Sequence, residues 1–123
     1  MVSFVLDDQR VLADLDARLF TFITQDGRQR AFLYMPGVGD WNLALPVDGS
    51  PGSWQYNGDI YNPTFSPSIL TESRGGNIRI ILRNHVFIRD GMIQYLSDCT
   101  HEYAGKTIPL PRLREWPNWA KYW

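Results

Sequence analysis

The feature that most constrains the fold is the close spacing of glycine and proline between short runs of β-branched and aromatic residues. The chain holds 10 glycines and 8 prolines in 123 residues. Punctuation of this kind is typical of short strands joined by turns, not of long helices. It predicts a mainly β fold: a compact antiparallel β-sandwich or rolled sheet of about six to eight strands, with several hairpins and at most one short helix.

Three pairs of apolar runs flank turn signals and are predicted to form hairpins: 19–24 with 30–35, 43–47 with 53–56, and 77–89 with 92–99. The first and third turn on Asp-Gly pairs, whose residues tolerate the positive φ that a tight hairpin needs. Residues 57–68 contain two prolines and Asn-Gly-Asp, which predicts an irregular packed loop. Residues 9–18 have apolar side chains at helical spacing and form the one candidate helix.

Size and charge narrow the functional classes. A chain of 123 residues predicts one domain, 1–123, with a Pro- and Trp-rich tail, 108–123, packing on it. The net charge of −1 gives no general attraction to nucleic acid. A single cysteine excludes an internal disulfide, and the first residues show neither a basic start nor a long apolar run. We therefore expect no membrane segment and a cytoplasmic location.

The Asp90-Gly91 turn fixes the expected register of the third hairpin, because a two-residue turn pairs Arg89 with Met92. His85 then opposes Leu96 and Arg83 opposes Asp98. Ile80 opposes His101, so the two histidines lie on opposite faces unless a bulge beyond Ser97 intervenes. The expected core face carries Ile78, Ile80, Leu82, Asn84, Val86 and Ile88, and the outer face carries Arg79, Ile81, Arg83, His85, Phe87 and Arg89.

Two motifs resemble a known family. They are Asn-Pro-Thr-Phe-Ser-Pro-Ser at 62–68 and Asp-Cys-Thr-His-Glu-Tyr-Ala-Gly at 98–105. With the strand that carries His85, they resemble small phage and prophage proteins of unknown function, some of which bear the automated label ammonia monooxygenase. The resemblance spans roughly residues 30–112. No residue pattern here supports a copper or membrane oxygenase. The resemblance implies an accessory protein that acts on host machinery or host defence.

The resemblance also implies a zinc knuckle that this chain has lost. Such proteins carry Cys-Pro-x-Cys-Gly before their Trp-Asn-Gly segment, and Cys-His where this chain has Asn84-His85. Two thiolates on a tight turn can bind one tetrahedral zinc ion. Here the knuckle reads Met35-Pro36-Gly37-Val38-Gly39. We therefore expect a degenerate zinc site, with Met35 and Val38 filling the vacated space beside Asn84.

A residual metal site is one hypothesis for the remaining chemistry. His85, Cys99 and His101, with Asp98 or Glu102, are ligand types that zinc accepts. The competing interpretation is a buried His101 bonded to backbone and a buried, inert Cys99. No cofactor is predicted, and zinc is the candidate if a metal is bound. Cys99 acting as a thiol nucleophile with His85 or His101 is a weaker hypothesis, because its side chain is predicted to face the core.

A second hypothesis is binding through an arginine face, defined as Arg79, Arg83, His85, Phe87 and Arg89. Ten of the 12 basic residues are arginine, whose guanidinium suits bidentate contact with phosphate or carboxylate. A protein or a phosphate-bearing ligand is the expected partner, and nucleic acid is not favoured by the net charge. The competing interpretation is a solvated face with Arg83–Asp98 and Arg79–Glu102 pairs.

The 62–68 motif, with Ser66 and Ser68, suggests a catalytic serine as a further interpretation. The chain has no Gly-x-Ser-x-Gly elbow and no Ser-x-x-Lys, so the prolines of 62–68 are predicted to rigidify a supporting loop. The sequence thus favours an interaction module with a degenerate zinc site. The enzyme alternative is a small metal-dependent hydrolase using His85, Asp98 and His101. The tail tryptophans are predicted to pack on the domain, with a homo-oligomer contact as the alternative.

Overall fold

The computed structural model describes residues 1–6, 8–37, 42–74, 76 and 80–117. One 3-10 turn, Leu113–Glu115, lies near the end of this part of the chain. Its strands are β1 Val2–Leu6, β2 Gln9–Ala13, β3 Phe20–Ile23, β4 Gln29–Tyr34, β5 Asn42–Pro46, β6 Gln55–Tyr56, β7 Phe65–Ser66, β8 Ile69–Arg74, β9 Ile80–Arg89, β10 Met92–Tyr95 and β11 Thr107–Pro109.

The strands form antiparallel sheets with the orders β1-β2, β3-β4-β5, β6-β7 and β11-β10-β9-β8. The described residues contain no α-helix, and the mainly β, sandwich-like architecture confirms the fold predicted from sequence. None of them forms a helix long and apolar enough to cross a membrane.

Two of the predicted hairpins are confirmed. β3 and β4 meet at the Asp26-Gly27 turn, where Gly27 has φ 85°. β9 and β10 meet at Asp90-Gly91, with φ of 53° and 77°. The register runs from Arg89↔Met92 to Val86↔Tyr95, as the two-residue turn requires. The alternation of faces is also confirmed, since Asn84, Val86 and Ile88 are buried.

Two local predictions are wrong. Residues 9–13 form β2, not a helix, and pair with β1. There Val11 and Ala13 are buried while Leu12 is 66% exposed, so the period-two alternation outweighs the helical spacing. The predicted 43–47/53–56 hairpin does not form a ladder: β5 pairs with β4, and β6 pairs with β7. Tyr56 stacks on the buried Phe65 at 5.0 Å, which draws β6 towards β7.

Two apolar clusters hold these sheets together. The larger one includes Leu33, Ile69, Val86, Ile93 and Leu110, and so joins β4, the β8–β9–β10 sheet and the chain after β11. The smaller one packs β1, β2 and β3 against the C-terminal segment through side chains that include Phe4, Phe20, Leu113 and Trp116. The described part of the tail therefore contributes side chains to both clusters. Its residues from 118 onward lie outside the described part.

Candidate active site

The outer face of the β11-β10-β9-β8 sheet brings together a serine and a histidine. Ser68 immediately precedes β8, and His85 lies within β9 opposite Leu70. Side chains two apart on a strand share a face, so Ser68 and Leu70 share the face of His85, while Ile69 between them is buried in the core. The Ser68 Oγ lies 3.1 Å from the His85 Nε2.

Asp98 completes a row of three side chains. Its Oδ2 lies 3.1 Å from the Nδ1 of His85, on the opposite side of the ring from Ser68. With Nδ1 donating to the carboxylate, Nε2 carries the lone pair that accepts the serine proton. The His85 side chain is 26% exposed and that of Asp98 is 42% exposed. A reactant can therefore reach this row from solvent.

An irregular turn after β10 delivers Asp98 to the histidine. The Leu96 amide donates to the His85 carbonyl over 2.9 Å, so Leu96 opposes His85 as predicted. The chain then turns, and the Cys99 amide donates to the Leu96 carbonyl. Thr100 takes the place opposite Arg83, bonding its carbonyl at 3.0 Å and its amide at 2.7 Å. The simple register predicts Asp98 at this position. The turn after Leu96 puts Thr100 there instead and leaves Asp98 beside His85.

Cys99 supports His85 through the backbone. The His85 amide donates to the Cys99 Sγ over 3.3 Å, and the thiol donates to the His85 carbonyl at the same distance. The thiol thus accepts from the His85 amide, as a strand carbonyl would, and gives the His85 carbonyl a second donor beside the Leu96 amide. Because Cys99 is 91% buried and its sulfur contacts backbone, not imidazole, the geometry gives no support to a thiol nucleophile.

The 62–68 motif is anchored to the turn of the β9–β10 hairpin. The Thr64 hydroxyl accepts from the Asp90 amide at 2.8 Å, and the Pro63 carbonyl accepts from the Gly91 amide at 3.0 Å. A Cβ on Gly91 would lie 3.3 Å from the Asn62 Cα, so the two turns are in close contact. This contact fixes where the chain enters β8, and therefore where Ser68 stands relative to His85.

Two arginines of the arginine face, Arg83 and Arg89, already have partners within the protein. Arg83 donates to Glu72 through Nε and Nη2 at 3.1 and 3.0 Å, and its Nη1 lies 3.7 Å from Asp98. The predicted Arg83–Asp98 pair therefore exists but is secondary to Glu72. The Arg89 guanidinium lies 4.3 Å from the centre of the Phe87 ring. Arg79 is outside the described residues, and ligand binding by this face stays a prediction.

His101 lies on the core side of β9. Its Nε2 is 2.8 Å from the Oδ1 of the fully buried Asn84, and its Nδ1 accepts from the Tyr103 amide at 3.2 Å. Nε2 is therefore the protonated nitrogen. Burial lowers the pKa of His101 below its ordinary 6.5. A Cβ on Gly37 would lie 2.6 Å from the His101 ring, so glycine permits this close packing.

The predicted metal set of His85, Cys99 and His101 does not converge, and neither does the hydrolase set of His85, Asp98 and His101. The rings of the two histidines lie on opposite faces of β9. In the part of the chain that the structure describes, no three His, Cys, Asp or Glu side chains are grouped to hold a metal. Where the resemblance implies a lost zinc knuckle, Asn84 Nδ2 lies 3.8 Å from the Met35 Sδ. A thioether, an amide and one imidazole do not fit a structural zinc site. Val38 lies outside the described residues.

Ser68 is the site residue that the sequence interpretation set aside. It lacks the flanking glycines of a nucleophile elbow because it enters a strand, not a helix. Its chain order, Ser-His-Asp, differs from that of the familiar hydrolase folds. The available signal was the position of Ser68 just after a proline and before a strand that pairs with the His85 strand.

A comparison with protein families gives one match, over residues 8–96, to the family described as "Bacterial ubiquitination-like system serine protease (BubE)". The matched segment contains Ser68 and His85 and ends two residues before Asp98. It carries no information on a phage origin. No curated protein and no solved structure matches the chain. Because the match covers well over half of the 123 residues, the chain belongs to the BubE family, named for a bacterial ubiquitination-like system.

Proposed function

We propose that this protein is a serine-type hydrolase that cleaves a peptide or isopeptide bond in a protein of a bacterial ubiquitination-like system. Ser68 is the nucleophile, His85 the general base, and Asp98 the group that orients and electrostatically supports the imidazole. The observation that carries this proposal is the continuous row from Ser68 Oγ to His85 to Asp98, with 3.1 Å at each step. The family's description as a serine protease supports it independently.

The chemistry follows from the protonation pattern of the row. The Ser68 oxygen attacks the scissile carbonyl while its proton passes to the Nε2 of His85. The tetrahedral intermediate then collapses, the C–N bond breaks, and His85 returns the proton to the leaving amine. A water molecule then attacks the resulting ester and loses a proton to Nε2; the C–O bond to Ser68 breaks, and His85 returns that proton to the Ser68 oxygen as the acid leaves. Asp98 accepts the Nδ1 hydrogen bond and stabilises the imidazolium that forms at each step.

The shape of the site favours a protein substrate. The three side chains lie on the open face of a sheet, and His85 and Asp98 are partly exposed. Small-molecule sites usually bury most of their ligand in a concave pocket. An open face needs contacts from a large partner to hold a bond against Ser68. The proposal therefore retains the predicted binding of a partner protein and adds cleavage of that partner. Action on host machinery and a cytoplasmic location stay predictions.

The direct test is covalent labelling with a fluorophosphonate, which reacts with an activated serine. We expect one adduct, mapped by mass spectrometry to Ser68, and loss of both the adduct and peptide cleavage in Ser68→Ala. The matched control is Ser66→Ala, because Ser66 is exposed and two residues away but bonds to no base in the described structure. Equal labelling of the Ser68→Ala and wild-type proteins would contradict the proposal.

A chelator separates this proposal from the metal-dependent alternative. A Ser68–His85–Asp98 hydrolase should keep its labelling rate and its cleavage activity after exhaustive treatment with a chelator. Loss of cleavage in chelator, restored by zinc and accompanied by no adduct on Ser68, would favour a metal-dependent hydrolase.

A further inference from the structure

The catalytic row runs across the sheet and ends beside its edge. Asp98 follows β10, His85 lies on β9, and Ser68 lies at the start of β8. The sheet order is β11-β10-β9-β8, so β8 is the last strand among the described residues. The position that continues the row beyond Ser68 is therefore the edge of β8. A carbonyl placed there would have Ser68 between itself and the base.

The hydrogen-bond pattern of β9 shows which β8 groups face that edge. Arg83 and His85 bond through their backbone to Thr100 and Leu96, on the β10 side. In an antiparallel sheet, alternate residues bond to alternate neighbours. Asn84 and Val86 therefore bond towards β8, where their partners are Thr71 and Ile69. It follows that the amides and carbonyls of Leu70 and Glu72 point away from β9, towards the edge.

This stretch of edge has no strand on it in the described part of the chain. β8 pairs with β9 alone among the described strands. The indole of Trp54 donates to the Ser68 carbonyl at 3.3 Å, so the chain closes the edge beside Ser68, and from Leu70 onward no described residue covers it. The Leu70 side chain is 51% exposed on the face that carries Ser68. An apolar side chain beside unpaired backbone groups is a surface suited to an extended peptide.

We infer that an extended segment of the protein substrate binds as an added strand along β8, with its backbone bonded to Leu70 and Glu72. This inference rests on the proposed function. Strand addition gives affinity through main-chain bonds and specificity through alternate side chains, of which one contacts Leu70. A neighbouring strand lies roughly 4.8 Å away, so a substrate that leaves this edge at Leu70, where Trp54 closes it, would carry its scissile carbonyl onto the face of the Ser68 Oγ. The substrate class is therefore a flexible protein tail or linker, because a folded helix cannot offer such a backbone.

The test removes one edge donor without touching the β8–β9 ladder. Leu70→Pro deletes the outward amide, and proline is tolerated where a strand amide faces away from its sheet. Leu70→Ala is the matched control, because it loses the side chain and keeps the amide. With a pool of fluorogenic heptapeptides as substrate, we expect kcat/KM to fall about 10-fold or more in Leu70→Pro, equivalent to one good hydrogen bond. The fluorophosphonate labelling rate should stay within about twofold, since that small probe needs no added strand.

The outcomes separate the two proposals. If wild-type Ser68 takes up no label and cleaves no peptide, the proposed function fails and this inference with it. If Leu70→Pro is labelled and cleaves peptides like the wild type, only strand addition is overturned. If Leu70→Pro converts a dimer to a monomer in sedimentation without loss of cleavage, the edge binds a second copy, and the inference is again overturned.

A reciprocal test needs no variant and covers the case in which Leu70→Pro does not fold. Peptides that the wild-type protein cleaves are resynthesised with single backbone N-methyl groups. Strand addition predicts that kcat/KM drops with a period of two residues, because alternate substrate amides face β8. A uniform effect along the peptide, or none, would contradict it.

Discussion

The rings of the two histidines of this chain lie on opposite faces of β9, and their neighbours differ in kind. His85 projects from β9 to the outer face, between Ser68 and Asp98. His101 meets the preceding residue of the same strand, Asn84, on the core face. The first ring joins a hydroxyl and a carboxylate that can exchange and stabilise a proton. The second joins a backbone amide and a neutral amide side chain, which fix its tautomer. Neither of these groups can take up the ring proton.

The comparison shows that residue type alone does not assign a role to a histidine. Both have one neighbour on each ring nitrogen, and both are partly buried. The parity of positions 84 and 85 on β9 decides which face each neighbour occupies. The outer row, Ser68–His85–Asp98, carries the chemistry in the proposed function. The inner cluster, Asn84, His101 and Tyr103, holds the segment after Asp98 against the sheet.

Substitution of His85 should give the largest effect and the sharpest contrast. We expect His85→Gln to lower kcat/KM for peptide cleavage by about 10⁴-fold or more, because the serine loses its base. The free energy of unfolding should change by less than about 0.5 kcal/mol, as is usual for a side chain near the surface. Steady-state kinetics and urea unfolding measure the two quantities.

The matched variant is His101→Gln. It should keep cleavage within about 10-fold, since its ring touches no member of the row, and lose stability instead. If His101→Gln abolished cleavage with its fold intact, while His85→Gln did not, the assigned roles of the two histidines would be reversed.

Substitutions in the inner cluster should lower the free energy of unfolding. Asn84→Ala leaves the Nε2 proton of a largely buried His101 without an acceptor, which should cost about 1–3 kcal/mol in the free energy of unfolding. In a double-mutant cycle with His101→Ala, the two losses should be less than additive, because either change removes the same hydrogen bond. Strictly additive losses in urea unfolding would show that the Asn84–His101 bond contributes nothing of its own.

Acidic pH should lower the free energy of unfolding through His101. The fold lowers the pKa of His101, chiefly through burial, so the unfolded chain binds a proton there at a higher pH than the folded one. Stability therefore rises with pH in that window. The contribution is complete above about pH 6.5 and is lost as pH falls through the lowered folded-state pKa. Unfolding curves from pH 7.5 downward measure it, and the slope should diminish in His101→Gln. An unchanged slope would assign the acid sensitivity to other groups.

Cys99 should give the smallest of these effects. The thiol makes both of its hydrogen bonds to the backbone of His85, so Cys99→Ala should cost about 1 kcal/mol in unfolding free energy and slow cleavage by a few-fold. Cys99→Ser offers a donor and an acceptor in the same place and should behave more like the wild type. If serine and alanine were equivalent, the bonds from Sγ to the His85 backbone would have no measurable weight.

Much of the fold could be predicted from local chemistry. The Asp26-Gly27 and Asp90-Gly91 pairs set two hairpins, because Gly27, Asp90 and Gly91 adopt the positive φ that these turns need. The alternation along β9 then assigned Asn84 to the core and His85 to the outer face. The 9–18 segment was misassigned because its apolar residues fit both periods, and pairing with β1 decided between them.

The candidate site was only half visible in the sequence. His85 and Asp98 were both singled out, but their partner was taken to be His101 or Arg83. Ser68 stood in a motif without the glycines that mark a nucleophile elbow. Its contact with His85 depends on the β8–β9 register and on the packing of Pro63 and Thr64 against the hairpin turn.

The sequence by itself determined the turns and the alternating faces, since each depends on residues that are close together in the chain. Only the tertiary structure decided that Ser68, His85 and Asp98 lie in one row and that, among the described residues, no strand pairs with the outer edge of β8. Ser68 lies 17 residues before His85, and Asp98 lies 13 residues after it. Contacts at these separations depend on strand order and on one irregular turn, and a shift of one residue in either would send the side chains to the other face of the sheet.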